Sequence, residues 1–215
     1  MLEDYVARTI SAYNASPDKY VSSTREMINL QEIDTLVEFL PDTDSPVLDA
    51  GCAFGRDSAV LASKGLRTVG IDMSDELLTR AKSLHPDFEF AKMDVRELNF
   101  PDNSFSGIWC NAVLLHLKDV DVQTALAEFY RVLKPGGAVC ISFKEGKGEQ
   151  EVMEMFSSDQ SRFYNFKTMD DTVALLEQQG FALRKQYILN ERERFGEDKR
   201  DLNWVYCFAT KSAAV

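Results

Sequence analysis

From about residue 46 the chain alternates between short apolar runs and stretches of helical periodicity, and few folds accommodate that pattern. Residues 47–50 read as a strand, and Arg56 to Lys64 as a helix closed by Gly65. Residues 67–71 follow as a second strand, then a helix capped by Ser74 that runs to Leu84 and stops at Pro86. Residues 88–92 and 105–111 are the third and fourth strands. Val122, Ala125, Leu126, Phe129 and Leu133 then mark an amphipathic helix. Pro135-Gly136-Gly137 turns the chain into a fifth strand over 138–143. Thr168 and Asp171 open a helix that Gly180 ends, and residues 181–190 and 202–210 read as two last strands. Strand–helix alternation builds a parallel sheet with its helices laid across both faces. The expected fold is therefore α/β, a doubly wound, mostly parallel seven-stranded sheet with helices on both faces and a C-terminal antiparallel hairpin. Ligands bind such sheets outside the carboxyl ends of the strands, where strand order reverses.

Upstream of the alternation, Leu2, Val6, Ile10 and Tyr13 fall on one helical face, and Ser16-Pro17-Asp18 breaks the pattern. Ile33, Leu36, Val37 and Leu40 form a second stripe that Pro41 ends. A length of 215 residues suits one domain with a full core.

The formal net charge of −11 repels a phosphate backbone, so nucleic acid is a poor partner. Residues 191–200 mix four cations with four anions and read as a solvated, self-neutralising loop. Cys52, Cys110, Cys140 and Cys207 form no C-x-x-C pair and stand among apolar residues, as small buried residues of a reduced compartment do. His85 and His116 are far apart, so no metal site is expected. No run approaches the roughly 20 apolar residues of a membrane span, and the expected location is cytoplasmic.

The chemistry should lie in the turns that follow the strands. Asp49-Ala50-Gly51-Cys52-Ala53-Phe54-Gly55 joins a strand to a helix through small residues. They let a ligand approach the backbone, and the helix start offers free N–H groups. A dinucleotide fingerprint needs glycine at relative places one, three and six. Gly51 fits the first, but Ala53 and Arg56 occupy the others, which argues against NAD. A Walker lysine–serine pair is also absent. Asp72, at the tip of the second strand, is placed to accept ribose hydroxyls or else to help start the next helix. Met73 can pack on an adenine face, and Asp94 can accept from its amino group.

Four ordered motifs in residues 45–145 resemble the class I S-adenosylmethionine (SAM)-dependent methyltransferases. They are the turn from Val47 to Gly55, the segment Gly70-Ile71-Asp72-Met73-Ser74, Asp94-Val95 with residues 98–105, and the turn from Arg131 to Gly137. The one departure is Ala53, at the middle place of the family's G-x-G-x-G. Alanine tolerates positive φ poorly, so a reshaped turn and weaker SAM affinity are expected.

The resemblance implies SAM as cofactor and S-adenosylhomocysteine as product. It places Asp49 and Gly51 beside the methionine moiety, with backbone near Gly51 holding the amino group, and counts Ala50, Ala53 and Gly55 of the same turn among the cofactor-binding residues. Asp72 would hold the ribose, Met73 and Val95 would enclose the adenine, and Asp94 would bind its amino group. Asn111 would lie under the sulfonium. Arg56 would either reach the SAM carboxylate or stand as an exposed helix charge. The implied division is a helical lid over 1–45, a cofactor-binding core over 46–145, and a substrate-side region over 146–215. Tyr13, Tyr20 and Arg25 are the lid's candidates to close over the cofactor, an aromatic face beside a sulfonium being favourable.

SAM already carries a good leaving group, so a general base is needed only when the nucleophile arrives protonated. His116, just past the fourth strand, is the candidate base, or else a rim histidine held between leucines. Lys144 and Arg162 are candidates to bind an anionic group of the acceptor. The cluster from Arg162 to Phe166 lines a pocket or forms a seam beneath the sheet. The expected partner is a small-molecule methyl acceptor, with a protein side chain as the less favoured alternative and neither nucleic acid nor membrane involved, and the chain is expected as a monomer or homodimer. A SAM-binding protein without turnover and an enzyme with different transfer chemistry remain alternatives.

Overall fold

The computed structural model describes residues 4–153 and 160–212, and Leu2 of the N-terminal stripe lies outside them. The chain begins with three helices, α1 (Asp4–Ala15), α2 (Pro17–Thr24) and α3 (Leu30–Glu38). Pro17 was expected to break the helix, and it also starts the next one. At the first position of a helix proline lacks only an N–H that would have had no partner there.

The alternation then appears in the order read: β1 (Val47–Ala50), α4 (Arg56–Ser63), β2 (Thr68–Asp72), α5 (Asp75–Leu84), β3 (Glu89–Lys92), β4 (Phe105–Cys110), α6 (Asp119–Val132) and β5 (Leu133–Lys144), except that Leu133 and the expected turn Pro135-Gly136-Gly137 belong to β5. A short ribbon follows, β6 (Gly148–Met153) paired antiparallel with β7 (Ser161–Phe166). The chain closes with α7 (Met169–Gln178), β8 (Phe181–Asn190), α8 (Glu191–Phe195) and β9 (Asn203–Lys211). Ser74 accepts the Leu77 N–H at the start of α5, and Thr168 with Asp171 forms a reciprocal capping box on α7.

Seven strands form one sheet in the order β3-β2-β1-β4-β5-β9-β8. The pairings among β3, β2, β1, β4 and β5 are parallel, and β9 pairs antiparallel with β5 and β8. Side chains alternate across the sheet, so one strand serves two cores. Leu48, Ile71, Ile108 and Ile141 pack toward Leu126 and Phe129 of α6 and Leu176 of α7. Val47, Trp109, Cys140 and Phe208 pack toward Ile33 and Leu36 of α3 and Leu61 of α4. Strand order reverses between β1 and β4, which opens a crevice at their carboxyl ends.

Two segments depart from the expectation. The β6–β7 ribbon was not foreseen: β6 exposes all its residues but Val152 and does not alternate apolar with polar, so it lacks the pattern that marks a strand. Residues 191–200 are not a solvated loop. They begin with α8, and Glu191 is only 1% exposed. Arg200 grips its carboxylate, and Trp204 Nε1 donates to it at 3.0 Å. The charges do neutralise one another in part, but around a buried anion.

Candidate functional site

Two cavities open at the carboxyl end of the sheet. The first lies over the ends of β2 and β3 and is lined by Ile71, Asp72, Met73, Met93, Asp94 and Val95. The second lies toward β5 and β7 and includes Asp49, Asp57, Lys144, Arg162, Tyr164 and Tyr206. They share Tyr13, Tyr20, Gly51, Ala53, Asn111, Ala112 and His116, so they meet above the β1 and β4 turns.

The β1 turn is held by left-handed backbone. Gly51 has φ +85°, and a Cβ there would stand 2.1 Å from Val113 Cγ2, which leaves room only for glycine. Ala53 takes φ +48°, so the turn keeps its path despite the missing glycine and carries backbone strain. The Ala53 N–H donates to Asp72 Oδ2 at 2.9 Å, and the Ser74 N–H to Asp72 Oδ1 at 2.8 Å. One carboxylate therefore ties the first two turns together, and each oxygen keeps a lone pair for a further donor. Burial raises the Asp72 pKa against these bonds.

Asp49 is buried at the end of β1 and accepts from Ser58 Oγ at 2.6 Å. Burial and then the nearby Asp57 push its carboxyl up to about 7. Asp94 works against its own burial: Arg96 takes both its oxygens and holds its pKa down. Arg96 also pairs with Asp121 at 3.0 Å.

Arg56 is neither an exposed charge nor a free donor. Its side chain is 18% exposed, with Nε and Nη2 on Asp57 at 2.7 and 3.0 Å and Nη1 on the Thr24 carbonyl at 2.9 Å. Trp109 Nε1 also donates to Asp57, and the ensemble holds Asp57 ionised despite burial. Three expected residues face neither cavity. Ala50 is fully buried in the core. Gly55, at φ +82°, starts α4 where a Cβ would meet Phe90 and His85. Arg25 is exposed at the end of α2, one residue past Thr24, whose carbonyl faces inward to Arg56.

Asn111 Oδ1 accepts from Ser142 Oγ at 2.7 Å and Tyr206 Oη at 2.9 Å. His116 sits in a one-turn 3-10 helix after β4. Its Nδ1 lies 2.8 Å from the Phe163 carbonyl and its Nε2 2.9 Å from Tyr13 Oη. A carbonyl only accepts, so Nδ1 carries the proton and Nε2 presents its lone pair toward Tyr13. Tyr13 and Tyr20 meet edge to face at 5.2 Å, which brings α1 and α2 over both cavities. Sequence reasoning missed Tyr206 and Asp57. Both sit in runs that read as ordinary strand and helix: Tyr206 acts on Asn111, 95 residues away, and Asp57 takes Trp109, 52 residues away, besides the adjacent Arg56. Burial pushes the thiols of Cys52, Cys110, Cys140 and Cys207 upward, so none is a nucleophile at neutral pH. Among the described residues no cluster of His, Cys, Asp and Glu could hold a metal ion, and no helix is long and apolar enough to cross a membrane.

Comparison with known proteins places these turns in a known setting. Residues 48–141 match the sequence profile of a methyltransferase domain. Over 96 residues, 45% of this chain and 38% of the relative, the chain is 38% identical to malonyl-[acyl-carrier protein] O-methyltransferase of Erwinia billingiae. Over 160 residues, 69% of this chain and 56% of the relative, it is 31% identical to methyltransferase GfsG of Streptomyces halstedii. The chain thus spans well under two thirds of these relatives. The fold is shared with the Burkholderia thailandensis 1,6-didemethyltoxoflavin-N1-methyltransferase solved with bound 1,6-didemethyltoxoflavin and S-adenosylhomocysteine. That match has a TM-score of 0.72 and 23% identity, over 97% of this chain and 89% of the other.

Proposed function

We propose that the chain is a class I SAM-dependent methyltransferase, a reading supported by its match to a methyltransferase domain over residues 48–141, and that it transfers a methyl group from SAM to a small-molecule nucleophile. The observation that carries this reading is the pair of cavities joined at Gly51, Ala53, Asn111 and His116. One has the donor set of an adenosine site and the other has room for an acceptor.

The residues present fit SAM. Asp72 has a spare lone pair on each oxygen for the ribose hydroxyls. Met73 and Val95 supply apolar faces for the adenine, and Asp94 accepts at its edge while Arg96 steadies it. Asp49 and the backbone around Gly51 border the amino-acid end, and Asn111 lies where the two cavities meet. The bound cofactor supplies an electrophilic methyl on a sulfonium. The chain's own part is to orient the acceptor in line with it and to keep water out. Tyr13 and Tyr20 of the proposed lid cover the junction. His116 Nε2 is the proton acceptor there: its tautomer is set by Phe163, and it is reached once the acceptor replaces the Tyr13 hydroxyl. An acceptor that arrives already ionised would bypass it.

Calorimetric titration with SAM, S-adenosylhomocysteine and NAD tests the reading. Binding of the two adenosyl ligands without NAD supports it. NAD binding, or no adenosyl binding, would leave only the fold.

A further inference from the structure

Arg162 lies on β7, is 2% exposed and lines the second cavity. Its guanidinium stacks on the Tyr13 ring at 4.0 Å, yet Nε and Nη2 have no hydrogen-bond partner, and no carboxylate pairs with it among the described residues. A buried guanidinium stays charged, and a buried charge without a counter-ion is costly. Nε and Nη2 together form the edge of the fork that matches the two oxygens of a carboxylate. Four other arginines in this molecule use that same edge. Arg56 holds Asp57 with it, Arg96 holds Asp94, Arg131 holds Glu128 and Arg200 holds Glu191, at 2.7 to 3.3 Å. Lys144, 6% exposed in the same cavity, places its ammonium 3.8 Å from the centre of the Tyr164 ring.

We infer that Arg162 is the anchor for a carboxylate on the methyl acceptor, with Lys144 as the second cation of that subsite. The inference rests on the methyltransferase reading and narrows its substrate class to carboxylate-bearing small molecules. A carboxylate on the open edge completes the one fork that, among the described residues, is buried with both Nε and Nη2 unpartnered. It also seats the acceptor beside Tyr13, whose hydroxyl reaches His116.

The test uses the full chain saturated with S-adenosylhomocysteine and three matched probe pairs: benzoate and benzamide, phenylacetate and phenylacetamide, hexanoate and hexanamide. Binding is followed by chemical-shift titration on wild type and Arg162→Met. At least one carboxylate should bind wild type tenfold or more tighter than its amide, and Arg162→Met should abolish that preference. S-Adenosylhomocysteine affinity should stay within twofold of wild type. Without ligands, Arg162→Met should melt no lower than wild type, since it removes an unpaired buried charge. If no pair is discriminated, or the variant melts several degrees lower, the inference is overturned. If the variant loses S-adenosylhomocysteine affinity, the anion on Arg162 is the cofactor's own carboxylate, which also overturns it. Failure of S-adenosylhomocysteine to bind wild type would instead overturn the methyltransferase reading.

Discussion

The two sides of the cleft are built on different length scales. On the β2–β3 side the polar contacts are local. Asp72 is met by Ser74 two residues on, and Asp94 by Arg96 two residues on. On the β5–β7 side they are distant. Tyr13 reaches His116 across 103 residues, Tyr206 reaches Asn111 across 95, and Phe163 reaches His116 across 47. Local contacts travel with a motif, whereas distant contacts exist only once the chain has folded. The first side also settles its charges internally, while the second leaves one guanidinium edge open. A common cofactor and a variable acceptor ask for that division.

The comparison breaks first at Asp72, the one β2–β3 carboxylate that ties two turns. Asp72→Ala removes the acceptor of the Ala53 and Ser74 N–H groups and of the proposed ribose bonds. Bonds to a charged group contribute about 1.5–3 kcal/mol each, so S-adenosylhomocysteine affinity should fall about a hundredfold by calorimetry. An unchanged affinity would remove the adenosine assignment of that cavity.

Glu191 probes the opposite side. Glu191→Ala strips Arg200 and Trp204 of a buried partner. Breaking a buried pair costs about 3–5 kcal/mol. Arg200 is 29% exposed and can be partly rehydrated, so roughly 2 kcal/mol is expected, a melting-point drop of about 4–8 °C for a chain of this size. S-Adenosylhomocysteine affinity should hold, because the loss lies away from the β2–β3 turns. Loss of both together would mean that the two sides are coupled.

The same contrast sets what could be read from the chain. The five parallel strands and their turns were legible because each is declared by neighbours: an apolar run, a small-residue turn, a helix cap. The ribbon was not, since Gly148–Met153 buries almost nothing and pairs with β7 only across an intervening segment. Glu191 read as solvated because its surroundings in sequence are charged. Its burial comes from Trp204 and from α8 folding back. Arg162 and Lys144 could be nominated as cations near the site, but the empty fork is a property of tertiary packing. Arg25 was nominated by its place in the N-terminal helices, and its direction depends on helix phase; Gly55 was nominated with its motif, and its closeness to Phe90 and His85 exists only in the fold.

The pH dependence of cofactor binding probes the border between the two sides, where Asp49 lines the second cavity next to Gly51 of the shared turn. Burial and Asp57 raise the Asp49 carboxyl to about 7, so below that pH it is increasingly protonated and neutral. The amino group at the proposed methionine end is a cation that favours the ionised form. Affinity should therefore rise with pH and level off above about 7, with a limiting slope below it of about tenfold per unit. Titration between pH 5.5 and 7.5, roughly below the ligand amine's own pKa, should show that slope in wild type and none in Asp49→Asn. A slope retained in Asp49→Asn would assign the titration to another group.

The smallest effect falls on Ala53, the one motif position where local sequence and local backbone disagree. A left-handed φ costs a non-glycine residue about 1–2 kcal/mol. Glycine gives back about 0.4–1 kcal/mol through its freer unfolded chain. Ala53→Gly should thus stabilise the fold by roughly 0.5–1 kcal/mol, a rise of about 1–4 °C in melting point. The Ala53 N–H already reaches Asp72, so the turn is in its bonding shape with alanine present. Cofactor affinity should therefore change by less than about threefold, and the strain would show in stability alone. A large gain in affinity would mean that Ala53 distorts the free turn and that the cofactor must reshape it on binding.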